Sequence, residues 1–355
     1  MKKGWSYKEF GDCVDKVPKQ KQVKSKDYQS SGKFPIVSQE KDLISGYWDD
    51  ESYLYKHEKP IIIFGDHTKE IKFIDFDFVV GADGTQILSP KDSLIAKFFY
   101  YALLATPIRS LGYARHFKLL KEKSFPVPPI AEQERIVERL DAAFAQIDEL
   151  KNNAERQLAE ARALFQSALT QAMQPKPGWQ EKKLPDISEN LDSIRIPVTK
   201  KNRTTGIYPY YGASGIVDYV DDYLFDEDLL CISEDGANLL MRTYPIAFPI
   251  SGKVWVNNHA HVLRFDNMYN QKFVEYFFES IKLDEYITGA AQPKLTQKAL
   301  NSIIIPLPSS LDEQKDIIYY LDTLFNRTIE LEGIYQKTAA ECDALKQALL
   351  RQIFE

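Results

Sequence analysis

The sequence predicts an α+β protein with two similar mixed α/β domains and two long antiparallel coiled-coil helices, arranged as a pseudo-two-fold internal repeat. Three observations predict this. Motifs recur at a fixed offset, apolar residues late in each repeat recur every three or four positions, and Gly and Pro almost vanish there. We divide the chain into domain one (1–130), helix one (131–174), domain two (175–310) and helix two (311–355).

Matched segments reveal the repeat. GWSYKEFGD at 4–12 recurs as GWQEKKLPD at 178–186, an offset of 174 residues. FPVPPIAEQERIVERLDAAF at 125–144 recurs as IPLPSSLDEQKDIIYYLDTLF at 305–325, after which the offset is 181 to the last residue. A period this long indicates duplication of a whole domain-plus-helix unit rather than a solenoid of short repeats.

The first part of each repeat is rich in aromatic and β-branched residues interrupted by Gly, Pro, Asn and Asp. Runs such as KPIIIFGD at 59–66 and DLLCIS at 228–233 predict strands between tight turns. Short helices are expected near 94–104 and 272–281. These features predict compact mixed α/β domains, but they do not predict the strand order.

The second part of each repeat predicts one long helix. Prolines end the preceding strand, acidic residues suit the first helical turn, and only Gly333 interrupts either helix. About 42 residues rising about 1.5 Å each would span about 63 Å. The predicted seam between the helices comprises Ile136, Leu140, Ala143, Ile147, Leu150, Ala154, Ala161, Leu164 and Ala168 with Ile317, Leu321, Leu324, Leu331, Tyr335, Cys342, Leu345, Leu349 and Ile353.

Connectivity adds a geometric expectation. The linker QPKPG at 174–178 is too short to return the chain along helix one, so we expect domain two at the far end of that helix. Helix two would then run back along helix one. Two sister domains inverted about such an axis would suit two half-sites of a DNA duplex, with the helices fixing their separation.

Charge gives a mixed signal about nucleic acid. The formal net charge of −6 argues against such a partner, but residues 1–34 carry nine lysines against four acids. A second basic run contains Lys200, Lys201 and Arg203. These local clusters fit a phosphate-facing surface and a merely solvated surface about equally well.

Cellular location is predicted from features that the sequence lacks. There is no apolar run of membrane-spanning length and no secretory signal after Met1. Cys13, Cys231 and Cys342 lack metal-ligand spacing and fit reduced thiols. We therefore expect a cytoplasmic protein without a membrane partner.

The tandem pattern of an α/β domain, the run IPLPxxxEQxxI and a long helix ending in ALxQxxLxQ resembles the specificity subunits of type I restriction–modification systems. GYARHFKLLKEKSFPVPP at 112–129 and TGAAQPKLTQKALNSIIIPLP at 288–308 resemble the ends of that family's recognition domains. The resemblance covers essentially the whole chain. It implies a non-catalytic subunit in which each domain reads one half of a bipartite double-stranded DNA target.

The resemblance also implies partners. Two adenine methyltransferase subunits would bind, largely through the helices, and endonuclease/translocase subunits would join that core. No cofactor is expected in this chain, whereas S-adenosylmethionine, ATP and Mg²⁺ are expected in the partner subunits.

No catalytic site is predicted in this chain. The phosphate-loop pattern and the Asn/Asp-Pro-Pro-aromatic motif of adenine methyltransferases are missing from the sequence. His259 and His261 would share one face of a strand, as some metal pairs do, but no third ligand is placed. Packing or DNA contact is therefore favoured over metal binding.

Candidate DNA contacts are polar side chains expected on loops, where Asn and Gln suit adenine and Lys suits phosphate. They are Gln39, His67, Thr68, Lys69, Arg115, His116, Lys201, Ser214, Asn238, Asn257, Asn258, His259, Gln292 and Lys294. The alternative is that these residues only build turns and caps.

Candidate partner contacts are apolar helix residues outside the predicted seam. They are Phe144, Leu158, Phe165, Leu169, Tyr319, Phe325 and Leu350. Packing on the globular domains is the alternative for them. For the whole chain, the alternatives are a structural adaptor that binds protein rather than DNA and a standalone enzyme.

Overall fold

The computed structural model describes residues 4–112, 114–289 and 292–355. The chain divides into two compact units. Unit 1 comprises Met1–Ala154 and Gln336–Glu355, and unit 2 comprises Glu155–Tyr335. Each unit therefore contains one globular domain and a segment of each long helix.

The globular domain of unit 1 is built from two small sheets and a two-stranded ribbon. Its strands are β1 (Ser6–Glu9), β2 (Val14–Asp15), β3 (Gln22–Val23), β4 (Phe34–Val37), β5 (Gly46–Trp48), β6 (Leu54–Tyr55), β7 (Ile61–Gly65), β8 (Ile71–Ile74), β9 (Phe78–Gly81), β10 (Thr85–Pro90) and β11 (Ser124–Val127). Its helices are α1 (Phe10–Cys13), α2 (Ala96–Ala105) and α3 (Phe117–Lys121), and the long helix α4 (Ile130–Ala172) follows. The sheet orders are β2-β10-β7-β8 and β3-β9-β4-β5, with β6 also on β9, and β1 pairs with β11.

The globular domain of unit 2 repeats this plan. Its strands are β12 (Gln180–Lys183), β13 (Glu189–Asn190), β14 (Thr205–Gly212), β15 (Gly215–Val220), β16 (Phe225–Asp226), β17 (Leu229–Ser233), β18 (Ala247–Ile250), β19 (Lys253–Val256), β20 (Ala260–Arg264) and β21 (Ile304–Leu307). Its helices are α5 (Leu184–Ile187), α6 (Asn238–Met241), α7 (Met268–Ser280) and α8 (Gln297–Leu300), before the long helix α9 (Leu311–Phe354). The sheet orders are β13-β20-β17-β18 and β15-β14-β19-β16, and β12 pairs with β21.

Strand pairing shows the duplication directly. The order β13-β20-β17-β18 repeats β2-β10-β7-β8, and the parallel pair β4 with β9 in the first domain corresponds to the parallel pair β14 with β19 in the second. Ile36 pairs with Val79 in the first domain and Tyr210 with Trp255 in the second, so Ile36 and Tyr210 occupy the same place at the sequence offset of 174. The predicted fold class, α+β with an internal repeat, is confirmed.

The central strand of each domain is buried along its whole length. In β7, Ile62 and Phe64 pack in the cluster that includes α2, whereas Ile61 and Ile63 pack in the cluster that includes β9. Alternate residues of a strand point to opposite faces, so a strand covered on both faces is apolar throughout. Along this part of the chain, polar side chains can therefore reach solvent only beyond the ends of the strand.

Strand β17 has the same environment. Leu230 and Ile232 pack in the cluster that includes α7, and Leu229 and Cys231 pack on the other face. Burial raises the pKa of the Cys231 thiol, so this cysteine is an inert packing residue.

A buried glutamine attaches α4 to the first globular domain. The Gln133 side chain is fully buried; its amide nitrogen donates to the carbonyls of Ser93 at 2.9 Å and Pro128 at 2.8 Å. Its amide oxygen accepts the Ile95 amide at 2.8 Å. The Glu-Gln motif, which is Glu132-Gln133 here and Glu313-Gln314 in the second repeat, therefore joins the beginning of the long helix to the segment that leads into α2.

A tyrosine–aspartate pair, present in both domains, supports the same attachment. The Tyr101 hydroxyl on α2 donates to Asp141 on α4, and Lys97 lies 2.8 Å from the same carboxylate. In the second domain Tyr276 on α7 donates to Asp322 on α9. The repeated Leu-Asp dipeptide of each long helix is therefore a docking element.

Within each unit the two helix segments run antiparallel, as predicted. The cross-helix pairs are Asp148–Lys346 and Lys151–Asp343 in unit 1, and Gln157–Tyr335, Arg162–Glu332 and Phe165–Phe325 in unit 2. Position numbers rise along α4 as they fall along α9 in both sets.

The predicted seam is only partly correct. Ile136, Leu140 and Ile147 are buried, but Leu150, Leu164 and Leu345 are at least 50% exposed. A straight α-helix has 3.6 residues per turn and drifts by about 20° per heptad relative to a 3.5-residue repeat. Residues chosen by spacing alone therefore leave the contact face over helices of 43 and 44 residues.

Candidate nucleic-acid interface

Four segments of the first domain meet where β7 ends, and we call this meeting point the first loop edge: residues 39, 66–69, 84 and 115–116. The His67 amide donates to the Gln39 side-chain oxygen at 3.0 Å, and the Thr68 hydroxyl donates to the Gln39 carbonyl at 2.7 Å. The His116 amide donates to the Asp66 carbonyl at 2.7 Å. All six candidate residues of the first domain therefore lie on this edge.

The second domain brings together the corresponding segments, which form the second loop edge: residues 213–214, 234–238, 257–259 and 292–294. The Glu234 amide donates to the His259 carbonyl at 2.9 Å, and the Gly236 amide donates to the Pro293 carbonyl at 3.0 Å. The Ser233 hydroxyl donates to the Ala213 carbonyl. Seven of the eight candidates of this domain lie here.

Lys201 is the exception. It lies on a short 3₁₀ helix, Lys200–Asn202, that precedes β14, and its side chain is exposed. The nearby Arg203 pairs with Asp218 at 3.0 Å and stacks on the Tyr210 ring. This basic run therefore belongs to the β14–β15 sheet.

Exposure separates the candidates into three groups. Thr68, Arg115, Ser214, Asn258, His259, Gln292 and Lys294 are exposed; Gln39, His67, Lys69 and Asn238 are half-buried; His116 and Asn257 are buried. Only side chains that reach solvent can offer donors or acceptors to a duplex in this conformation.

The structure contradicts direct contact for the two buried candidates. His116 is 0% exposed; its Nδ1 lies 3.0 Å from the Asp66 carbonyl and its Nε2 accepts the Leu111 amide at 3.0 Å. Asn257 is 5% exposed, and its side-chain oxygen accepts the His259 amide at 2.8 Å. Both side chains hold loops in place.

Asn238 also has a structural task. Its side-chain nitrogen donates to the Tyr244 carbonyl at 3.0 Å, and its side-chain oxygen accepts the Tyr244 amide at 2.9 Å. These two bonds close the loop that contains α6. The Asn238 amide group is thus committed to backbone atoms, which weakens the prediction that it reads adenine.

A buried ion-pair network that the sequence did not predict lies beneath the second loop edge. Arg195 Nη1 lies 2.7 Å from Glu234, and Arg195 Nη2 lies 3.3 Å from Asp192. His261 Nδ1 lies 2.6 Å from Asp192, and Lys294 Nζ lies 3.0 Å from Glu234. Local patterns could not reveal this network, because His261 and Asp192 are 69 positions apart.

The histidine pair His259-x-His261 is split by this arrangement. His261 is 1% exposed, with Asp192 on one ring nitrogen and the Leu295 carbonyl at 2.8 Å on the other. His259 is exposed and pairs with Asp235 at 2.9 Å. The two rings therefore have different partners and do not face a common site.

Asp192, Glu234 and His261 offer potential metal-ligand atoms within 4.8 Å of one another. However, the Arg195 guanidinium already contacts both carboxylates, so a metal ion would have to displace a cation that the site holds by hydrogen bonds. The donor set therefore fits an ion-pair network better than a metal centre.

The network lowers the pKa of both carboxyl groups. Burial raises the pKa of Asp192, but the His261 hydrogen bond, the Val262 amide and the Arg195 charge outweigh it and bring the pKa below 3.8. Burial also raises the pKa of Glu234, and interactions with Arg195, His261 and Lys294 bring it below 4.5. Both groups are anionic at neutral pH.

The candidate partner residues divide between packing and exposure. Leu169 and Leu350 are buried, and Phe144 and Phe165 are partly buried and pack against the domain cores. Leu158 is half-buried. Tyr319 is 76% exposed and Phe325 42% exposed.

Among the described residues, no helix is both long enough and apolar enough to cross a membrane.

Comparison with known proteins gives a family match in both halves of the chain. The family model described as type I restriction modification DNA specificity domain matches residues 2–160 and 176–340. A Haemophilus influenzae protein named for a type I restriction enzyme specificity subunit is 35% identical over 149 residues, which is 42% of this chain and 38% of that protein. The Escherichia coli EcoR124I/EcoR124II specificity subunit is 24% identical over 348 residues, 87% of this chain and 84% of its own.

Solved structures share the fold. A chain from a study of complex assembly and conformational transition of the type I R-M system has a TM-score of 0.69 at 17% identity, covering 98% of this chain and 97% of its own. The HsdS subunit from Thermoanaerobacter tengcongensis has a TM-score of 0.52 at 19% identity, covering 99% and 97%.

Proposed function

Because the chain belongs to the family of type I restriction–modification DNA specificity proteins, we propose that its two loop edges each read one half of a bipartite DNA target. The observation that carries the proposal is the duplication: both domains gather the same four segments at the end of the same buried strand. The adaptor alternative has no comparable support in the comparisons.

The exposed side chains supply the required chemistry. Arg115 and Lys294 offer cationic donors for phosphate or guanine, and Asn258 and Gln292 offer amides of the kind that pair with adenine. Each edge sits on a buried strand, so the loops begin from a rigid base. The chain contributes recognition, and catalysis belongs to partner subunits.

The long helices would bind those partners. On α9, Tyr319, Tyr320, Phe325 and Ile329 are each at least 42% exposed, an apolar surface that a partner subunit would cover. We assign this surface to methyltransferase subunits, with endonuclease/translocase subunits joining that core. S-adenosylmethionine, ATP and Mg²⁺ would be bound by those partners, in the cytoplasm.

Methylome sequencing tests the proposal. Cells expressing the chain with its methyltransferase subunit should carry adenine methylation at a bipartite sequence. Exchange of residues 1–130 for the first domain of another family member should change one half-site only, and exchange of residues 175–310 should change the other. Change in both halves after a single exchange would contradict the proposal.

A further inference from the structure

A buried carboxylate immediately follows the central strand of each domain. Asp66 is the first residue after β7, Glu234 is the first after β17, and they are 4% and 8% exposed. Burying a carboxylate is costly unless it is hydrogen-bonded or paired with a cation. Each of these two therefore needs partners, and in each domain one of the partners is a cation on the loop edge.

In the first domain Asp66 binds the segment that leads into α3. Its backbone carbonyl accepts the His116 amide at 2.7 Å, and its carboxylate accepts the Phe117 amide at 2.8 Å. The same carboxylate lies 3.9 Å from Arg115, whose side chain is 79% exposed. Asp66 thus connects the end of β7 to an exposed cation.

In the second domain Glu234 binds the segment that leads into α8. Its backbone carbonyl accepts the Leu295 amide at 2.7 Å, and its carboxylate lies 3.0 Å from Lys294 Nζ. The other carboxylate oxygen lies 2.7 Å from Arg195, which fixes the glutamate from below. Lys294 remains 47% exposed in this arrangement.

We propose that Asp66 and Glu234 are positioning residues that hold Arg115 and Lys294 in place for recognition, each in its own half-site. This rests on the proposed function. An ammonium group has three N–H donors and a guanidinium has five, so a cation held by one carboxylate keeps donors for DNA. A long, flexible side chain that is already held in place before binding loses less conformational entropy when the complex forms.

The two positioning residues work by different contacts. Asp66 acts mainly through the backbone of the α3 segment, because its distance to Arg115 is 3.9 Å. Glu234 acts through the Lys294 side chain itself at 3.0 Å. Glu234→Gln therefore removes the ion pair that holds Lys294, and it also removes the ion pair with Arg195 beneath the loop edge.

A double-mutant cycle on the assembled complex tests this. The chain is purified with its methyltransferase subunits, and Kd is measured for the methylome-defined target duplex and for duplexes altered in one half-site. Lys294→Ala should weaken target binding at least about fivefold, the scale of one specific contact. Glu234→Gln should cause a similar loss, confined to one half-site.

The decisive measurement is the double variant. If Glu234 acts through Lys294, Glu234→Gln/Lys294→Ala should bind no worse than Lys294→Ala alone. Independent losses that multiply would overturn the inference. Glu227→Gln is the matched control. Glu227 lies just before the start of β17, whereas Glu234 follows its end, and a Glu227 carboxylate oxygen lies 2.6 Å from an Arg264 nitrogen. Loss of this ion pair should leave Kd unchanged.

Two further outcomes separate this inference from the proposed function. If Lys294→Ala and Asn258→Ala both leave Kd unchanged, the second loop edge does not read DNA and the proposed function fails there. If Lys294→Ala weakens binding and Glu234→Gln does not, only the positioning inference fails. Because Glu234→Gln also breaks the buried Arg195 pair and should lower the melting temperature, Asp66→Asn with Arg115→Ala repeats the cycle in the first domain.

Discussion

The repeat supplies a matched pair for measuring what the Glu-Gln motif contributes to stability. Gln133 makes three hydrogen bonds to buried backbone groups of the first domain. Its counterpart Gln314 is also buried, but among the described residues its side-chain nitrogen donates only to the Pro308 carbonyl at 3.0 Å, and its side-chain oxygen has no partner. Alanine at these two positions should therefore have unequal effects.

The expected difference follows from the bond count. Each hydrogen bond contributes about 1 kcal/mol net, so Gln133→Ala should cost about 3 kcal/mol and Gln314→Ala about 1 kcal/mol. The difference of about 2 kcal/mol corresponds to about a 30-fold change in the equilibrium constant for opening. Backbone groups left buried without partners after Gln133→Ala would increase the gap.

Native-state hydrogen exchange measures this locally, which matters because a chain with two units need not unfold in one step. Amides of α2 should exchange faster in Gln133→Ala, and those of α7 should change little in Gln314→Ala. Equal protection losses in the two variants, or a cost below about 1 kcal/mol for Gln133→Ala, would refute this account of the motif.

Three further predictions concern the docking pair, the ion network and the exposed helix face. Tyr101→Phe removes one hydrogen bond to a carboxylate and should destabilise the first domain by about 1–2 kcal/mol in urea unfolding; no change would mean the pair is not a docking element. Because the folded pKa of Glu234 lies below 4.5, its contribution to stability is complete above that pH and is lost as the pH falls through the lowered value. The unfolding free energies of wild type and Glu234→Gln should therefore differ most above pH 4.5 and converge as the pH falls below it, and a difference that stays constant with pH would contradict an anionic Glu234 in the network. Tyr319→Ser, at a side chain that is 76% exposed, should weaken methyltransferase binding at least tenfold by analytical ultracentrifugation without lowering the melting temperature, and unchanged assembly would mean that this face does not bind the methyltransferase.

The sequence predicted the architecture because the repeat and the helical periodicity are local, countable signals. The offset of 174 places Ile36 and Tyr210 at the same sheet position, and the absence of interrupting prolines correctly predicted both long helices. Strand order was not predictable, because parallel pairs such as β4 with β9 join segments with other strands between them.

At the candidate interface, sequence reasoning found the segments but not the roles within them. Polar residues beside turn signals pointed to the loops, yet His116 and Asn257 are buried, because a loop at a strand end needs internal hydrogen bonds as well as an outer face. The roles of Glu234 and Asp192 could not be predicted, because a sequence does not distinguish a buried acidic residue from an exposed one.

Unit 1 is made of two segments that are far apart in the sequence, and this has a consequence for its synthesis. Residues 336–355 belong to the compact unit that contains the first domain, and Leu350 and Phe354 pack in its core, the latter with its ring 5.4 Å from that of Phe98. The core of the first domain can therefore close only after residues 336–355 have been synthesised and have left the ribosome. A stop codon near position 340 should damage the domain translated first, while the one translated second keeps every segment of its compact unit.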